Sequence, residues 1–418
     1  MFDTGHLRRR CEAVNTALRN SIGVGVPVLI VALSLFVVPF VDLSLVVADI
    51  IEFDPVYDFV TSYYGAARGY LAGEAVYANP DHPYIYPPLT LLLWLPFVVF
   101  DPLLAGVVWD IVVLGVLYAS VLFLLSSRNV SLNARWRFGL LAALVGFYPT
   151  ILWLKAGQVS GLLAALLCVA AGLSGGDEGP RHGILTGAIL AVVSLFKPFY
   201  AVAATPVPRK NARLVGGFLG VAVVILAGLI IFGIDMQLAQ FDYLLTGLGW
   251  GETAEAGGGG SSPTNWGPYY FRPFIVFGGF ALYVKFAFVA LLAVVSIASR
   301  WMDSTELDER LFVLGFTAVP LLSPISDLFA VNALIPALVL TSVAELRREE
   351  SLIQVPLFTV LMIQIHPYLF GFLASFGPRY VPELRVLEPV LPLLQPALWG
   401  IFALVGLQLY RISKEVDF

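Results

Sequence analysis

Histidine and cysteine are scarce in this chain of 418 residues, which holds four histidines (His6, His82, His182 and His366) and two cysteines (Cys11 and Cys168). The histidines stand at no metal-ligand spacing, which argues against a histidine-built metal centre. One cysteine lies in a basic N-terminal tail and the other in an apolar run, so neither a disulfide framework nor a thiolate metal site follows. Charge is scarce as well. Asp, Glu, Lys and Arg make up 13% of the chain, against about 25% in a soluble protein. That leaves too little polar surface to cover a water-soluble globule.

Apolar residues are abundant instead: 59% of the chain is hydrophobic, and the mean hydropathy is +0.86. Lipid must therefore be the solvent for most of the chain, and an all-α polytopic membrane protein is the expected fold class. Apolar runs predict about twelve helices, near 23–41, 87–100, 103–125, 138–154, 158–174, 183–203, 214–234, 275–299, 310–322, 328–346, 352–374 and 389–410. Several fall short of the ~20 residues a perpendicular span needs, so broken or re-entrant segments are expected among them. The first run follows a basic tail (Arg8, Arg9, Arg10, Arg19) and reads as a start-transfer anchor that is not cleaved.

Strict alternation from a cytoplasmic N-terminus puts fourteen Lys and Arg residues inside and eight outside, in the sense of the positive-inside rule. Both termini are then cytoplasmic. The segment 126–137, with Arg128, Arg135 and Arg137, is discordant. Two long loops, 42–86 and 235–273, share the external face in this scheme. The second contains GGGGSSP, flexible by composition. Its flanks carry Trp250, Asn265, Trp266, Tyr269 and Tyr270, which serve either as interfacial anchors or as sugar-facing groups.

The first loop is long, acidic and rich in tyrosine, from Asp54 to Leu89. Asp54-Pro55 reads as a helix start, aspartate as N-cap and proline at the first helical position, and Gly73 as the stop. Val56, Val60, Tyr63, Ala67, Tyr70 and Leu71 recur at helical spacing, which predicts an amphipathic helix on the membrane interface. The other face carries Asp58, Thr61, Ser62, Gly65, Arg68 and Gly69. It presents a carboxylate and, about 15 Å farther along, a guanidinium. Asp58 is either a solvated carboxylate in the first helical turn or a functional group. Arg68 is either a lipid-phosphate contact or a snorkelling side chain. Tyr77, Tyr84 and Tyr86 fit an aromatic belt, and Pro87-Pro88 fits re-entry into the membrane.

Polar residues inside apolar runs are functional candidates by default. Lys197, followed by the helix-kinking Pro198, is one, unless it snorkels to the interface. Gln158 sits between two short helices and otherwise makes a helix–helix hydrogen bond. Asp110 and Asp327 complete the set.

Taken in order, Asp58-Phe59, Tyr63-Tyr64, AARGYLAG, Tyr77, YPPLTLLLWLP, Gly157-Gln158, Lys197-Pro198 and LLSP resemble glycosyltransferase family 87. These are polyprenyl-phosphate-dependent, mannosyltransferase-like membrane proteins of the GT-C superfamily. The resemblance runs from residue 50 to about 340. It implies a GT-C fold as a single domain over residues 1–418. It also implies a polyprenyl- or dolichyl-phosphate-linked sugar as donor, mannose or another hexose, and a lipid or glycan hydroxyl as acceptor. It further implies transfer on the external face of the cell membrane, with an aspartate of the first loop, matched here by Asp58, as general base; a direct inverting displacement is the expected mechanism. Tyr63, Tyr64, Arg68, Tyr86, Gln158, Lys197, Asn265, Arg272 and Asp327 are the candidate substrate-binding residues, with Arg68, Arg272 and Lys197 as candidate phosphate holders. No metal or other cofactor is indicated, although a divalent cation is compatible, and no nucleic-acid partner is expected. Where relatives often carry a histidine after LLSP, this chain has Asp327 and Asn332. A secondary transporter and a non-catalytic lipid-handling protein are the alternative classes. The transporter would need internal repeats and paired broken helices, and the chain shows no clear repeat.

Overall fold

The computed structural model describes residues 22–47, 54–77, 84–175, 179–247, 271–302, 304–323, 328–376 and 380–415. Among them every regular element is helical. Among the described residues, seven helices are long and apolar enough to cross a membrane, and an eighth span follows if the pair Ala134–Gly146 (α4) and Tyr148–Ala156 (α5), bent by 65°, is one crossing. Three apolar stretches are shorter: Pro88–Val99, Ser160–Leu173 (α6) and Pro180–Phe196 (α7). The peripheral helices Ile22–Val47 (α1), Asn211–Phe232 (α8) and Ala281–Ala298 (α10) leave Leu29, Phe36, Phe218, Ile230 and Phe286 exposed. Such surfaces are stable only against lipid. The chain is a multi-pass membrane protein.

One end of the molecule is an ion-paired layer. Asp308, near the start of Thr305–Leu322 (α11), receives Arg213 at 2.8 Å and Arg209 at 3.2 Å. Arg128, at the end of Pro102–Ser127 (α3), pairs with Glu309 at 2.8 Å, and Arg411 of Pro396–Glu415 (α13) with Glu345 at 2.7 Å. Arg347, just beyond Leu334–Leu346 (α12), donates to the carbonyl of Arg128. Arg213 is fully buried, and each of these guanidiniums finds carboxylate or carbonyl acceptors, without which burial would cost several kcal/mol.

This layer reassigns the middle of the chain. Alternation placed 126–137 with the first loop and Lys155 on the opposite side, but Arg128 belongs to the ion-paired end. Lys155, in contrast, pairs with Asp42 at 3.0 Å and accepts the backbone N–H of Val56 at 2.6 Å. The cause is the segment 88–99, which folds back along the first loop instead of crossing. Trp94 stacks on Tyr63 with ring centroids 4.6 Å apart, Phe97 packs on Phe59, and the Tyr64 hydroxyl donates to Phe100 O at 3.1 Å. Both ends of that stretch thus lie at the loop end.

Parity is restored at 197–210. Helices α7 and α8 run parallel, with Gly216 against Ile184 and Gly220 against Ala188. The chain between them returns in two 3-10 pieces, Pro198–Ala204 and Val207–Arg209. Pro198, Pro206 and Pro208 remove the amide donors an α-helix would need there. Glycines at the α7–α8 contact let the two backbones touch, as small residues do between membrane helices.

The first-loop helix also differs from expectation. It begins at Tyr57 and passes through a π-helical turn, Phe59–Tyr64, into Gly65–Leu71 (α2). Asp54 is exposed and precedes it by a turn, so it does not cap the helix. Val56 intervenes with φ +52°, a conformation strained for a β-branched residue. Gly73, with φ +79°, does end the helix. Val56, Tyr63 and Ala67 of the predicted stripe are buried, but so are Phe59, Tyr64 and Ala66. The segment packs into the protein on more than one face.

The two ends make a direct prediction. With Cys11→Ser as background, Arg135→Cys and Glu349→Cys should react with a membrane-impermeant maleimide from the same side of sealed membranes, and Tyr57→Cys from the other. Position 135 labelling together with position 57 would refute the reassignment.

Candidate functional site

The site begins with two turns that lock together. Helix α5 ends at Gly157, whose φ of +69° is the left-handed conformation that stops a helix and that glycine adopts without strain. A Cβ on Gly157 would lie 2.5 Å from Cβ of Phe59 and 3.3 Å from Cβ of Val56. Gly157 is thus doubly required, by its dihedral and by the first loop lying on it. Val56 completes the joint, buried against Gly106 of α3 with its N–H on Lys155 O. Phe59 is the hub beneath, with Tyr63, Tyr64, Trp94, Phe97 and Trp109 around its ring.

This docking brings Asp58 to Gln158. The Gln158 amide donates to the Asp58 carboxylate, and Lys197 acts on the same carboxylate through its charge. Lys197 Nζ donates to Gln158 Oε1 at 3.1 Å, which fixes the amide orientation: oxygen toward the ammonium, nitrogen toward the carboxylate. Lys197 ends α7, and Pro198 starts the returning segment. Burial pushes the Asp58 carboxyl above the ordinary aspartate value, while the Gln158 hydrogen bond and the Lys197 charge pull it back down. These are the desolvation and charge effects that tune a base.

Tyrosines wall the site. The Tyr63 and Tyr86 hydroxyls lie 3.1 Å apart, and Val159 N–H donates to Tyr63 at 3.3 Å. Burial, with Tyr86 and the Asp58 charge adding to it, holds the Tyr63 hydroxyl well above the ordinary phenol range, so it stays a neutral donor. Tyr77 donates to Tyr86 O at 2.6 Å. Behind them Trp94 donates to the Tyr84 hydroxyl at 3.1 Å, Tyr84 meets Thr90, and Thr90 donates to Pro87 O at 2.6 Å.

Of the residues singled out from sequence, Asp58, Tyr63, Tyr86, Gln158 and Lys197 come together here. Tyr64 packs one layer behind, against Phe59. Arg68 is exposed on the same helix. Arg272 lies at another junction, its N–H on Gln395 Oε1 at 2.7 Å and its carbonyl accepting from Gln395 at 2.9 Å. Asn332 is a buried helix joint whose amide donates to Pro149 O at 3.0 Å. Asn265 and Asp327 lie outside the described residues, as do Trp250, Trp266, Tyr269 and Tyr270. Sequence reasoning missed Val56, Phe59 and Trp94 as architectural members. Only the density of aromatics from Tyr57 to Trp109 hinted at them. Among the described residues no group of three or more His, Cys, Asp or Glu is placed to hold a metal ion.

A half-buried carboxylate oriented by an amide and an ammonium, beneath tyrosine hydroxyls, is suited to taking a proton from a hydroxyl beside an anionic group. Residues 84–324 match the family model described as Glycosyltransferase family 87. The match covers more than half of the chain, which belongs to that family and is a membrane glycosyltransferase acting on a sugar donor and an acceptor. It contains Tyr86, Gln158, Lys197, Asn265 and Arg272, whereas Asp58, Tyr63, Tyr64 and Arg68 precede it and Asp327 follows it. Comparison with curated proteins returns no match, and comparison with solved structures returns none.

Gly157→Ala should disrupt the joint. The left-handed backbone alone costs about 1–2 kcal/mol with a Cβ, and the contact with Phe59 adds to it. A lower thermal midpoint in detergent, together with transfer activity reduced at least tenfold, is the expected result.

Proposed function

We propose that the protein transfers a hexose, mannose in the first instance, from a polyprenyl or dolichyl phosphate to a hydroxyl of a lipid or glycan, with inversion and with Asp58 as general base. The observation that carries this reading is the half-buried Asp58 carboxylate held by Gln158 beside Lys197. Asp58 takes the acceptor proton as the hydroxyl oxygen attacks the anomeric carbon. The polyprenyl phosphate leaves as a stable anion, so no general acid is required. Lys197 has two roles in this scheme. Its charge keeps Asp58 ionised, and its ammonium faces the departing phosphate as a preorganised cation. Tyr63 and Tyr86 orient sugar hydroxyls. Arg68, exposed on the first-loop helix, and Arg272, whose backbone is bonded to Gln395, remain further phosphate candidates.

The same reading takes the loop end as external and both termini as cytoplasmic. With 126–137 and Arg181 at the ion-paired end and Lys155 at the loop end, the Lys and Arg count becomes seventeen inside to five outside, a stronger bias than simple alternation gives. Twelve traverses result, counting 198–209 and α11 and omitting 88–99, in a single GT-C-type domain. A transporter reading loses ground because the carboxylate–amide–ammonium group sits beside an external loop and not at paired broken helices.

Asp58→Asn should lower transfer from a labelled polyprenyl-phosphate hexose by about 10²–10⁴-fold, the usual weight of a general base. Its thermal midpoint should be equal or higher, because a carboxyl whose folded pKa is raised destabilises the fold once it ionises above its unfolded value. Full activity in that variant would remove Asp58 from the mechanism. Lys197→Met takes away a charge that lowers the Asp58 pKa. The acidic limb of the rate–pH profile should therefore move to higher pH, with activity lost first at the acid end. An unmoved limb would show that Asp58 is not the titrating group.

A further inference from the structure

Helix α5 runs into Gly157-Gln158, so its direction decides where Gln158 meets Asp58. Its other end is a break. Phe147 leaves the helical backbone, with ψ of 119°, and α4 and α5 meet at 65°. Such a break orphans the carbonyl before it and the amide after it. One side chain answers both, Gln364 of the helix Gln354–Gly371. Its Oε1 accepts the N–H of Tyr148 at 2.5 Å, and its Nε2 donates to Gly146 O at 2.8 Å. One residue farther along, Asn332 of the 3-10 segment Leu328–Ala333 donates to Pro149 O at 3.0 Å and accepts from the Thr150 hydroxyl at 3.5 Å. Gln364, Asn332 and Thr150 are fully buried.

Other buried amides close on each other, as Gln237 and Gln240 of Ile234–Asp242 (α9) do at 2.8 Å. Gln364 and Asn332 instead direct theirs to the first turn of α5, from positions 216 and 183 residues away in the chain. The Tyr148 ring adds an edge-on contact with Tyr368, one turn along from Gln364, with centroids 5.8 Å apart. Gly146 lies against the backbone of Leu35 in α1. From Tyr148 to Gly157 the strut is roughly 13 Å long, at ~1.5 Å per residue. A tilt of about 5° at the clamped end would carry Gly157 by roughly 1 Å over that length. A displacement of about that size, made far from the chemistry, can cost about a hundredfold in rate.

We propose that Gln364, assisted by Asn332, is a positioning residue for the transfer reaction: it fixes the direction of α5 and through it the hydrogen bond from Gln158 to Asp58. The inference rests on the reading of Asp58 as general base. An amide suits the break because one planar group offers a neutral donor and a neutral acceptor together. A carboxylate would lack the donor for Gly146 O, and an alkyl chain would lack both. Asp58 senses any loosening directly. The Gln158 hydrogen bond lowers its pKa, and Lys197 and Tyr63 are the titratable groups that interact with it besides. A weaker Gln158 contact therefore raises that pKa further, and less of the base is ionised at a given pH.

The test is a double-mutant cycle on the full-length protein. Transfer from labelled polyprenyl-phosphate mannose is followed in membranes of a source strain in which each variant replaces the native protein, so that the acceptor is present. Gln364→Met keeps the side-chain volume and removes both hydrogen bonds. Alone, it should lower kcat at least tenfold, leave KM for the labelled donor within about threefold, and move the acidic limb of the rate–pH profile to higher pH. In the Asp58→Asn background no base is left to misplace, and the same substitution should lower the residual rate less than twofold. A loss of folded protein alone would scale both backgrounds equally and leave the limb where it was. If Gln364→Met does not accumulate in membranes, Asn332→Ala carries the same cycle. Equal fold-losses in the two backgrounds, an unmoved acidic limb, or full activity of Gln364→Met would overturn the proposal. Failure of the catalytic reading is seen separately, as transfer retained by Asp58→Asn alone.

Discussion

The seating of the first loop on the Gly157–Gln158 turn is the contact on which the rest of the site depends. A backbone hydrogen bond from Val56 to Lys155 O holds it, and a glycine without a Cβ lets Phe59 approach. The left-handed Val56 is a local cost, of the order of 1–3 kcal/mol, that persists because its side chain is enclosed by Gly106 and Gly157. With the loop seated, Asp58 meets Gln158, and Gln158 meets Lys197. Three stretches far apart in the chain then act on one carboxylate.

The two ends of the molecule handle charge in opposite ways. At the ion-paired end, Arg213, Arg209, Arg128 and Arg411 are neutralised by direct carboxylate contact. Charge there is spent on locking helix ends together. At the loop end, Asp58 is kept partly desolvated, with the Gln158 amide and the Lys197 charge as its company. The first arrangement minimises reactivity, while the second leaves a carboxylate ready to take a proton. A carboxylate held this way costs stability once it ionises.

Much of the architecture was legible in the sequence. The apolar runs located nearly every helix, and the Gly73 stop was read correctly from its residue type. Two things were not legible. Residues 88–99 are as apolar as a span, yet they turn back because Trp94, Phe97 and Phe100 find partners in the first-loop aromatics. Residues 197–210 look like the tail of a helix and a loop, yet they make the return path between two parallel helices. These errors compensate in number, which is why the expected alternation is exchanged only in the middle of the chain. The arginines at 128, 135 and 137 were already signalling the exchange.

By itself the sequence determined that the chain is a polytopic helical membrane protein, and its motifs pointed to the glycosyltransferase family to which it belongs. Composition and hydropathy are summed properties, insensitive to which helix meets which. Only the tertiary structure decided that Gly157-Gln158, Lys197-Pro198 and Asp58 form one group. The reason is physical. The pKa of a carboxylate and the reach of a hydrogen bond depend on distances of a few ångströms, and those are set by how turns pack and not by their spacing along the chain.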